Sequence, residues 1–363
     1  MSPEAPEPAE PQGRSLKGWL KLALKFVVTA VLVGWIVTQV EWDGFVENLD
    51  RYTWVSIVVV VLLWWAMLFP SVWKWQMLLR VHGLKYRFWL LHKWYVIAAF
   101  FNQFLPSMIG GDGYRIYQTL GNGKHRACAV LPVFVERATG LSALLIMGTI
   151  GAGLDYAASG SELSFWSLVI GVGWAAGMAV AGVCWFAGGF NKVAELKYCP
   201  SPVRSLVLYA DDYNRQFMKV IWAMALSFWF HAMRIMIFWL LVRGLGYEVT
   251  FSQIAVVAAA TMVIGMLPIS LGGWGLVDGA FIVLMEMYDV PKEAGLTAQL
   301  MSRVTVAWVA IWGGVWLAVD RGQPERGAVI EPPPESPSES TLEDTTSPGG
   351  SETTPVAAPT PAR

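Results

Sequence analysis

Residues 105–113, LPSMIGGDG, decide the fold of this chain, because residues 267–275 repeat their L-P-x-x-x-G-G-x-G pattern as LPISLGGWG. Each copy ends an apolar run, and since proline removes a backbone donor and glycine loosens a helix, a break is predicted at both places. Broken backbone is tolerated in a bilayer only where protein or a wet cavity surrounds it. We therefore predict two re-entrant hairpins that frame a central site. Their structural residues are Pro106, Gly110, Gly111, Pro268, Gly272, Gly273 and Gly275.

The composition is typical of a polytopic membrane protein. Hydrophobic residues make up 55% and charged residues 15% of the 363 positions, and twenty residues are tryptophan; a soluble protein of this length does not have this profile. Three cysteines and four histidines are scattered, so neither a disulfide framework nor a zinc site is predicted. The chain has no Walker loop, so it does not encode ATP-driven pumping. No metal, cofactor or nucleic-acid partner is predicted.

The two ends of the chain differ from its middle. Residues 1–13 are rich in Pro, Glu and Ala, and residues 322–363 are rich in Pro, Ser, Thr and Glu, so both are predicted to be disordered. Basic residues between 14 and 25 lead into an apolar run that ends near Val40 without a small-x-small cleavage site, which predicts an uncleaved first span. The transmembrane domain is predicted to cover residues 14–321.

Loop charges orient the predicted spans in the membrane. Six spans are predicted, at residues 19–40, 52–73, 127–150, 165–187, 220–242 and 299–319. The 41–51 connection is acidic and the 74–93 connection, which begins with Lys74, is basic. The positive-inside rule therefore places the N-terminus, the 74–93 connection and the C-terminus in the cytoplasm. An eight-span alternative, in which both hairpin segments cross, is weaker because it places the basic stretches 113–126 and 188–219 outside.

The predicted elements repeat in the order span, span, hairpin, span with opposite orientation. The two halves are residues 14–160 and 161–321. LLRVHG at 78–83 matches LVRGLG at 241–246 with an offset of 163, against 162 for the hairpin motifs. Inverted repeats with broken helices are typical of secondary transporters. The predicted fold class is therefore an all-α polytopic membrane protein with about six transmembrane helices and two re-entrant hairpins in an inverted repeat.

Charged residues cluster near the first break and in the span that follows it. The half-helix after Gly111 presents unpaired N–H groups that favour an anion such as a phosphate, and Arg115 adds a charge-assisted contact. Asp112 is predicted either to cap this half-helix or to handle substrate or protons. Glu136 and Arg137 lie in the third span, where each charge costs on the order of 3 kcal/mol. Since adjacent helical positions point about 100° apart, they are predicted to have different partners, either Arg115 and Asp112 or a lipid headgroup.

Three further charges lie in later spans or beside the second break. Arg234 is near the middle of the fifth span, one turn from His231, and is predicted to contact substrate, whereas His231 is predicted to be a hydrogen-bonded core residue. Arg303 is predicted to snorkel towards the membrane surface, and Asp278 to cap or pair at the second break. The second copy has Trp274 where the first has charge, so the headgroup is predicted to bind at the first, cytoplasmic hairpin.

These motifs resemble the flippase-like family, also called the lysylphosphatidylglycerol synthase transmembrane region. Its pattern is N-x-x-L-P-x-x-x-G-G-D-x-x-R, then E-R one helix later, then P-x-x-x-G-G-x-G-x-x-E, and the resemblance covers residues 15–320. The chain departs from it at Asp278, where the family has Glu. It meets the pattern at Asn102, Pro106, Gly110, Gly111, Asp112, Arg115, Glu136, Arg137, Pro268, Gly272, Gly273 and Gly275.

The resemblance implies a role in lipid movement. In two-domain members this region is associated with translocating aminoacylated phosphatidylglycerol, which a separate C-terminal domain makes. That synthase domain is absent here, so lysyltransferase activity is not expected. Stand-alone relatives are associated with moving other lipids, including hopanoids and polyprenyl-linked sugars.

The resemblance and the residues together predict a translocase or transporter in the bacterial inner membrane. It would move an anionic, polyprenyl-type or hopanoid-type lipid between leaflets without ATPase activity; its partner is a membrane lipid, and a homodimer is compatible with the family. Two alternatives stay open: a membrane-embedded lipid-modifying transferase that uses Asp112 or Glu136 as base, and a non-transporting scaffold of a lipid-synthesis complex. No catalytic residue is assigned. The predicted substrate-binding residues are Asn102, Asp112, Arg115, Glu136, Arg137, Arg234 and Asp278.

Overall fold

Every regular element in the described residues is a helix. The computed structural model describes residues 27–28, 30–38, 41–104, 110–120, 126–186, 200–265, 270 and 273–319. Residues 30–38 are helical, and Arg80–His82 form a 3₁₀ turn. The all-α prediction is confirmed for this part of the chain. The helices are α1 (Trp42–Asp50), α2 (Trp54–Leu79), α3 (Phe88–Phe104), α4 (Gly110–Thr119), α5 (Ala127–Ser159), α6 (Glu162–Phe186), α7 (Ser201–Arg215), α8 (Phe217–Gly244), α9 (Phe251–Gly265), α10 (Leu276–Glu286) and α11 (Lys292–Val319).

Five of these helices are long and apolar enough to cross a membrane. They correspond to the second through sixth predicted spans: Trp54–His82, Ala127–Ser159, Glu162–Cys184, Phe217–Gly244 and Lys292–Val319. Half of the first predicted span, 19–40, lies outside the described residues, and the segments 1–13 and 322–363 lie wholly outside them. Apolar side chains on the outer surface suit contact with lipid; on α6, Ile170 and Val183 are 66% and 68% exposed.

The described parts of the helices beside the two motifs are shorter than a bilayer crossing. α3 has 17 residues and α9 has 15, which at about 1.5 Å per residue gives roughly 25 and 23 Å, less than the ~30 Å hydrocarbon core. α3 ends at Phe104 before α4 begins at Gly110, and α9 ends at Gly265 before α10 begins at Leu276. The residues on which both breaks are predicted, 105–109, 266–269 and 271–272, lie outside the described residues, and within the described part of the second motif Trp274 and Gly275 form a turn. Pro106, Pro268 and Gly272 lie outside the described residues.

Close packing between the two halves of the chain depends on glycine. α9 packs along α5, and α11 packs along α3. A Cβ at Gly151 of α5 would meet the Ser252 carbonyl oxygen of α9 at 2.9 Å, and a Cβ at Gly313 of α11 would overlap the Val96 carbonyl oxygen of α3. Small residues let helix backbones approach closely in a membrane. Each short helix that precedes a motif is therefore packed against a long helix from the other half.

α2 and α8 run antiparallel and contact helices of both halves. The Tyr52 hydroxyl, just before α2, donates to the Leu241 carbonyl near the end of α8 at 2.7 Å. Towards the other end, Lys74 Nζ of α2 donates to Ser227 Oγ of α8 at 3.1 Å. Both helices also contact α5 and α11. Polar side chains on the facing surfaces of α2 and α8 therefore lie in the interior of the bundle.

Candidate functional site

Four charged side chains meet beside the first helix break and form the first ion-pair cluster, which consists of Asp112, Arg115, Glu136 and Arg137. Arg115 is only 3% exposed, and its two terminal nitrogens bind different carboxylates. Nη2 donates to Asp112 Oδ1 at 2.7 Å, and Nη1 donates to Glu136 Oε2 at 2.8 Å. Charge-assisted bonds of this kind are about twice as strong as neutral ones. The charge of Arg115 is therefore compensated by the protein itself.

Glu136 and Arg137 have different partners, as predicted for adjacent helical positions. Arg137 Nε donates to Asp112 Oδ2 at 2.8 Å, whereas Glu136 Oε1 accepts from the Tyr95 hydroxyl at 2.9 Å. The Arg137 side chain is 49% exposed, so its guanidinium is more accessible than that of Arg115. Two carboxylates and two guanidinium groups leave the first ion-pair cluster without net charge.

Two aromatic rings enclose Arg115. Its Cζ lies 5.0 Å from the centroid of the Trp75 ring and 4.7 Å from that of the Tyr95 ring, an arrangement in which the ring face attracts the cation. Trp75 comes from α2 and Tyr95 from α3, so helices distant in sequence position this arginine. Neither ring was predicted to contact Arg115, because that contact depends on tertiary packing and not on a local pattern.

The start of α4 is capped by Asn102 and not by Asp112. The Gly111 backbone N–H donates to Asn102 Oδ1 at 2.9 Å, whereas each oxygen of Asp112 accepts from an arginine. A Cβ at position 111 would overlap the Ala98 carbonyl oxygen and lie 2.7 Å from Asn102 Oδ1. Glycine is therefore required here so that α4 can pack against α3. The ring contact between Phe101 and Tyr114, with centroids 5.2 Å apart, continues this packing.

A second ion-pair cluster, which consists of Asp278, Gln299 and Arg303, lies beside the second break. Asp278 Oδ2 accepts from the Gly275 backbone N–H at 2.8 Å, so this carboxylate caps α10. Its Oδ1 accepts from Arg303 Nε at 2.6 Å and from Gln299 Nε2 at 2.9 Å. Asp278 thus both caps and pairs, the two roles predicted for it.

The prediction that Arg303 snorkels to the membrane surface is wrong. Its side chain is 14% exposed, and besides Asp278 it binds the Gly273 carbonyl through Nη2 at 3.2 Å. Its Cζ lies 4.2 Å from the centroid of the Trp274 ring. Gly273 has a φ of 77° and Gly275 has a φ of 75°, the left-handed region that glycine enters without steric penalty. These glycines turn the chain around Arg303.

Asp278, and not Trp274, corresponds in position to Asp112. The match that was drawn from the motif alignment is therefore corrected. Each aspartate is the third residue of its helix, α4 or α10, and each binds the Nε of an arginine 25 residues further on. Relative to the motif, α10 begins four residues later than α4, so a motif alignment puts the carboxylates out of register. The repeated Asp-to-Arg spacing was present in the sequence and could have revealed the match.

Polar residues of α2 and α8 form a central polar stripe, which consists of Lys74, Ser227, His231 and Arg234. Lys74 was assigned to the basic connection, but α2 continues to Leu79 and Lys74 is 6% exposed. Besides the bond from Lys74 to Ser227, Arg234 Nη1 lies 3.5 Å from the Met262 sulfur. His231 Nδ1 and Arg234 Nε are buried without a hydrogen-bond partner in the described structure. His231 is nevertheless buried and keeps a hydrogen bond to the Gly140 backbone, as predicted for a core residue.

The structure brings five of the seven predicted substrate-binding residues together. Asn102 caps the helix that carries Asp112 and Arg115, and these two pair with Glu136 and Arg137. Asp278 lies in the second ion-pair cluster and Arg234 in the central polar stripe. Sequence reasoning missed four other contributors: Lys74, Tyr95, Gln299 and Arg303.

A cavity of about 540 Å³ lies away from these groups, among the connections that follow α5, α8 and α10. Its lining includes Glu162, Glu248 and Asp289, so it would repel an anion. Burial raises the pKa of the neighbouring Tyr288 to about 12, and this protonated phenol donates to Asp155 Oδ2 at 3.1 Å. Within the described ranges, no group of three His, Cys, Asp or Glu side chains is placed to hold a metal ion.

Together, the apolar helices and the internally paired charges define a multi-pass α-helical membrane protein. The chain belongs to the family described as the lysylphosphatidylglycerol synthase TM region, which matches residues 22–314. The match covers both ion-pair clusters and the central polar stripe, and it confirms the resemblance drawn from the motifs. No curated protein matches the chain. Membership of this family indicates a lipid-related function in a membrane.

Proposed function

We propose that this protein moves a lipid between the leaflets of the bacterial inner membrane, either a lipid with an anionic headgroup or a polyprenyl- or hopanoid-type lipid. The observation that carries the proposal is the pair of ion-pair clusters at two helix breaks inside a membrane bundle. Ionisable groups at such a depth are costly, and they commonly mark the path of a substrate. The protein is a transporter and not an enzyme, and it takes a membrane lipid, not a nucleic acid, as its partner.

The proposed architecture is an inverted repeat with two re-entrant hairpins. Three correspondences support it: the Asp-to-Arg pairs at equal spacing, the packing of α3 on α11 and of α9 on α5, and the close-contact glycines Gly151 and Gly313. These glycines are 162 positions apart, the offset of the two motifs. Such repeats expose a central site alternately to the two faces. Both termini would lie in the cytoplasm, and a homodimer is compatible with this arrangement.

The ion pairs suggest how a headgroup could enter. An anionic headgroup competes with Asp112 for Arg137, whose side chain is half exposed. Because Asp112 retains its bond to Arg115, releasing Arg137 does not leave that carboxylate unpaired. The acyl chains stay in the surrounding lipid, so only the headgroup needs a polar path. Because the headgroup replaces Asp112 as the partner of Arg137, no buried charge is left without a partner, and the free-energy cost stays low.

The transferase alternative has less support. It needs Asp112 or Glu136 as a general base, yet both carboxylates accept charge-assisted bonds from Arg115. A substrate proton would therefore have to displace Arg115 from these carboxylates before either could act as a base. The scaffold alternative predicts that neutralising these residues leaves the phenotype of the strain unchanged.

Transbilayer movement in reconstituted vesicles tests the proposal. The full chain is placed in vesicles that contain a fluorescently labelled anionic phospholipid, and a membrane-impermeant reductant is added without nucleotide. We expect almost all label to be reduced, against about half in protein-free vesicles, where only the outer leaflet is accessible. Protection of the inner half would contradict translocation, and a chemically altered lipid in the extract would favour the transferase.

A further inference from the structure

The two ion-pair clusters differ in how far they are exposed, although both contain the same Asp-to-Arg pair. In each cluster an aspartate binds the Nε of an arginine 25 residues further on. In the first, the side chains of Arg137 and Asp112 are 49% and 12% exposed. In the second, those of Arg303 and Asp278 are 14% and 5% exposed. The first pair is therefore accessible and the second is occluded.

The second break is covered by the helical segment of residues 30–38, which we call the N-terminal segment. A Cβ at Gly275, just before α10, would meet the Leu32 Cβ at 2.6 Å. One turn further along, a Cβ at Gly279 of α10 would lie 3.6 Å from the Trp35 ring. Since both glycines face the same segment, the N-terminal segment lies directly on the start of α10.

At the first break, nothing in the described residues takes this place. A Cβ at Gly113 of α4 would have no atom within 4 Å. Gly113 corresponds to Gly275 when the two motifs are aligned, and to Gly279 when Asp112 is aligned with Asp278. Both alignments give the same contrast. The glycine side of α10 is therefore covered, whereas that of α4 is open at Gly113.

The N-terminal segment lies between the second ion-pair cluster and the surrounding lipid. Its outer face is apolar and exposed, with Val31 at 64% and Val37 at 44%. Its inner face contributes Ile36, which is buried against Ile282 of α10 and Leu296 of α11. Lipid that approaches the start of α10 from this side therefore meets the N-terminal segment first.

Apolar contacts alone hold the N-terminal segment in this place. Within the described ranges, no hydrogen bond or ion pair joins it to α10 or α11, and the Thr38 hydroxyl donates inside the segment, to the Trp35 carbonyl at 2.8 Å. Lipid tails are as apolar as these side chains, so moving the segment into lipid costs only its packing contacts. At the start of α1, in contrast, the Glu41 N–H donates to Glu293 Oε1 of α11 at 3.3 Å. The N-terminal segment can therefore leave α10 while α1 stays on α11.

We propose that residues 30–38 are a lateral lid, which covers the second ion-pair cluster on its lipid side and opens to admit a lipid from the bilayer. The inference rests on the proposed function, because it supplies the entrance through which the second cluster is reached. With the lid closed, only the first cluster is accessible. With the lid open, a headgroup enters beside Gly275 while its acyl chains stay in the bilayer. The lid thus controls lateral access to Asp278 and Arg303.

A reversible cross-link between the lid and α10 tests the proposal. In a full chain without its native cysteines, Ile36→Cys and Gly279→Cys are bridged by a short bifunctional methanethiosulfonate, since Ile36 Cδ1 lies 3.9 Å from a Cβ at position 279. The matched control is Gly44→Cys with Glu293→Cys, which the same reagent bridges between α1 and α11. A Cβ at position 44 lies 3.8 Å from the Glu293 Cβ, within the range that a disulfide spans.

The rate of lipid movement in vesicles is then measured before and after reduction of each cross-link. We expect the lid cross-link to lower this rate to that of protein-free vesicles, and reductant to restore it. The control cross-link should leave the rate unchanged, because α1 does not move when the lid opens. Lipid movement that continues at the reduced rate while the lid is cross-linked overturns the proposal, as does equal inhibition by both cross-links.

Lid opening is also measured without lipid movement, so that failure of the lid and failure of the proposed function give different results. Spin labels at Val37→Cys and Val283→Cys, both exposed, report the distance between the lid and α10 in bilayer nanodiscs. Labels at Val46→Cys and Ile311→Cys, also exposed, report that between α1 and α11. We expect a second, longer distance for the first pair only.

The two measurements together separate the outcomes. A second distance for the lid pair in a protein that does not accelerate lipid movement supports the lid and contradicts translocation. A single distance for the lid pair overturns the lid, whether or not the protein moves lipid.

Discussion

Arg115 is the residue on which the first ion-pair cluster depends. It is buried against Trp75 and Tyr95 and bridges two carboxylates on different helices. Taking such charges out of water is costly, and their mutual attraction offsets that cost only while each has its partner. Removing one partner should therefore be worse than removing both charges of a pair.

We predict that Arg115→Ala destabilises the protein by about 3–5 kcal/mol, because it leaves Glu136 buried without a counter-charge. Thermal or denaturant unfolding in detergent measures the change. Arg215→Ala is the control, since the Arg215 side chain is 78% exposed and its pair with Asp211 is a surface pair within one helix, and it should leave stability nearly unchanged.

A second substitution distinguishes charge from packing. In Arg115→Ala with Glu136→Gln, the uncompensated carboxylate is gone, and we expect part of the lost stability to return. A double variant that is no more stable than Arg115→Ala alone would show that the loss does not come from an unpaired Glu136 carboxylate.

At the scale of single residues, the sequence predicted that Glu136 and Arg137 have different partners, but it missed that Lys74 is buried. Adjacent charges in an apolar span are easy to recognise in a sequence, and each of them needs a partner. Lys74 instead follows the last apolar residues of a predicted span, where a cation normally marks the cytoplasmic boundary. Only the continuation of α2 to Leu79 shows that Lys74 is inside.

The packing of α4 against α3 depends on Gly111. A Cβ there would overlap the Ala98 carbonyl, whereas Gly113, two residues on in the same helix, has nothing within 4 Å of its would-be Cβ. The two glycines therefore differ in role although the motif contains both.

We predict opposite effects for alanine at these two positions. Gly111→Ala should destabilise the protein by about 1–3 kcal/mol, because α4 must move away from α3 and from the Asn102 cap. Gly113→Ala should be neutral or stabilising by up to about 1 kcal/mol, since alanine favours a helix over glycine. Unfolding midpoints measured side by side check both, and equal losses would contradict the close approach at Gly111.

The sequence predicted a helix break at each motif but not the register between the two aspartates. Proline and glycine act on the local backbone, so their pattern can be recognised from the sequence alone. The four-residue delay in the start of α10 depends on the turn at Gly273 and Gly275, which wraps around Arg303 from another helix. An alignment of the two motifs does not take that contact into account. It therefore matched Trp274, and not Asp278, to Asp112.

The antiparallel course of α2 and α8 sets the connections after these helices at opposite ends of the bundle. Loop charges assign the 83–87 connection to the cytoplasm and the 245–250 connection to the outside. That assignment came from sequence, because positive charge in short loops acts during insertion. The packing of α3 on α11 and of α9 on α5 was not readable, since the small residues that allow it recur throughout an apolar chain.

Cysteine accessibility tests this orientation. In a chain without its native cysteines, Glu248→Cys should react with a membrane-impermeant maleimide in intact spheroplasts. Arg87→Cys should react only after the membrane is permeabilised. Both positions are exposed, so a failure to react reports the side of the membrane and not burial. The reverse pattern would contradict the proposed orientation of the termini.

The central claim is that a lipid headgroup crosses the membrane along the buried ion pairs. The most direct measurement is the rate of transbilayer movement of a labelled anionic phospholipid in vesicles that contain the wild type, Arg137→Ala or Arg243→Ala. We predict that Arg243→Ala matches the wild type and that Arg137→Ala is about tenfold slower or more, because one charge-assisted contact is lost. Equal rates for Arg137→Ala and the wild type, or a wild type no faster than protein-free vesicles, would contradict the account.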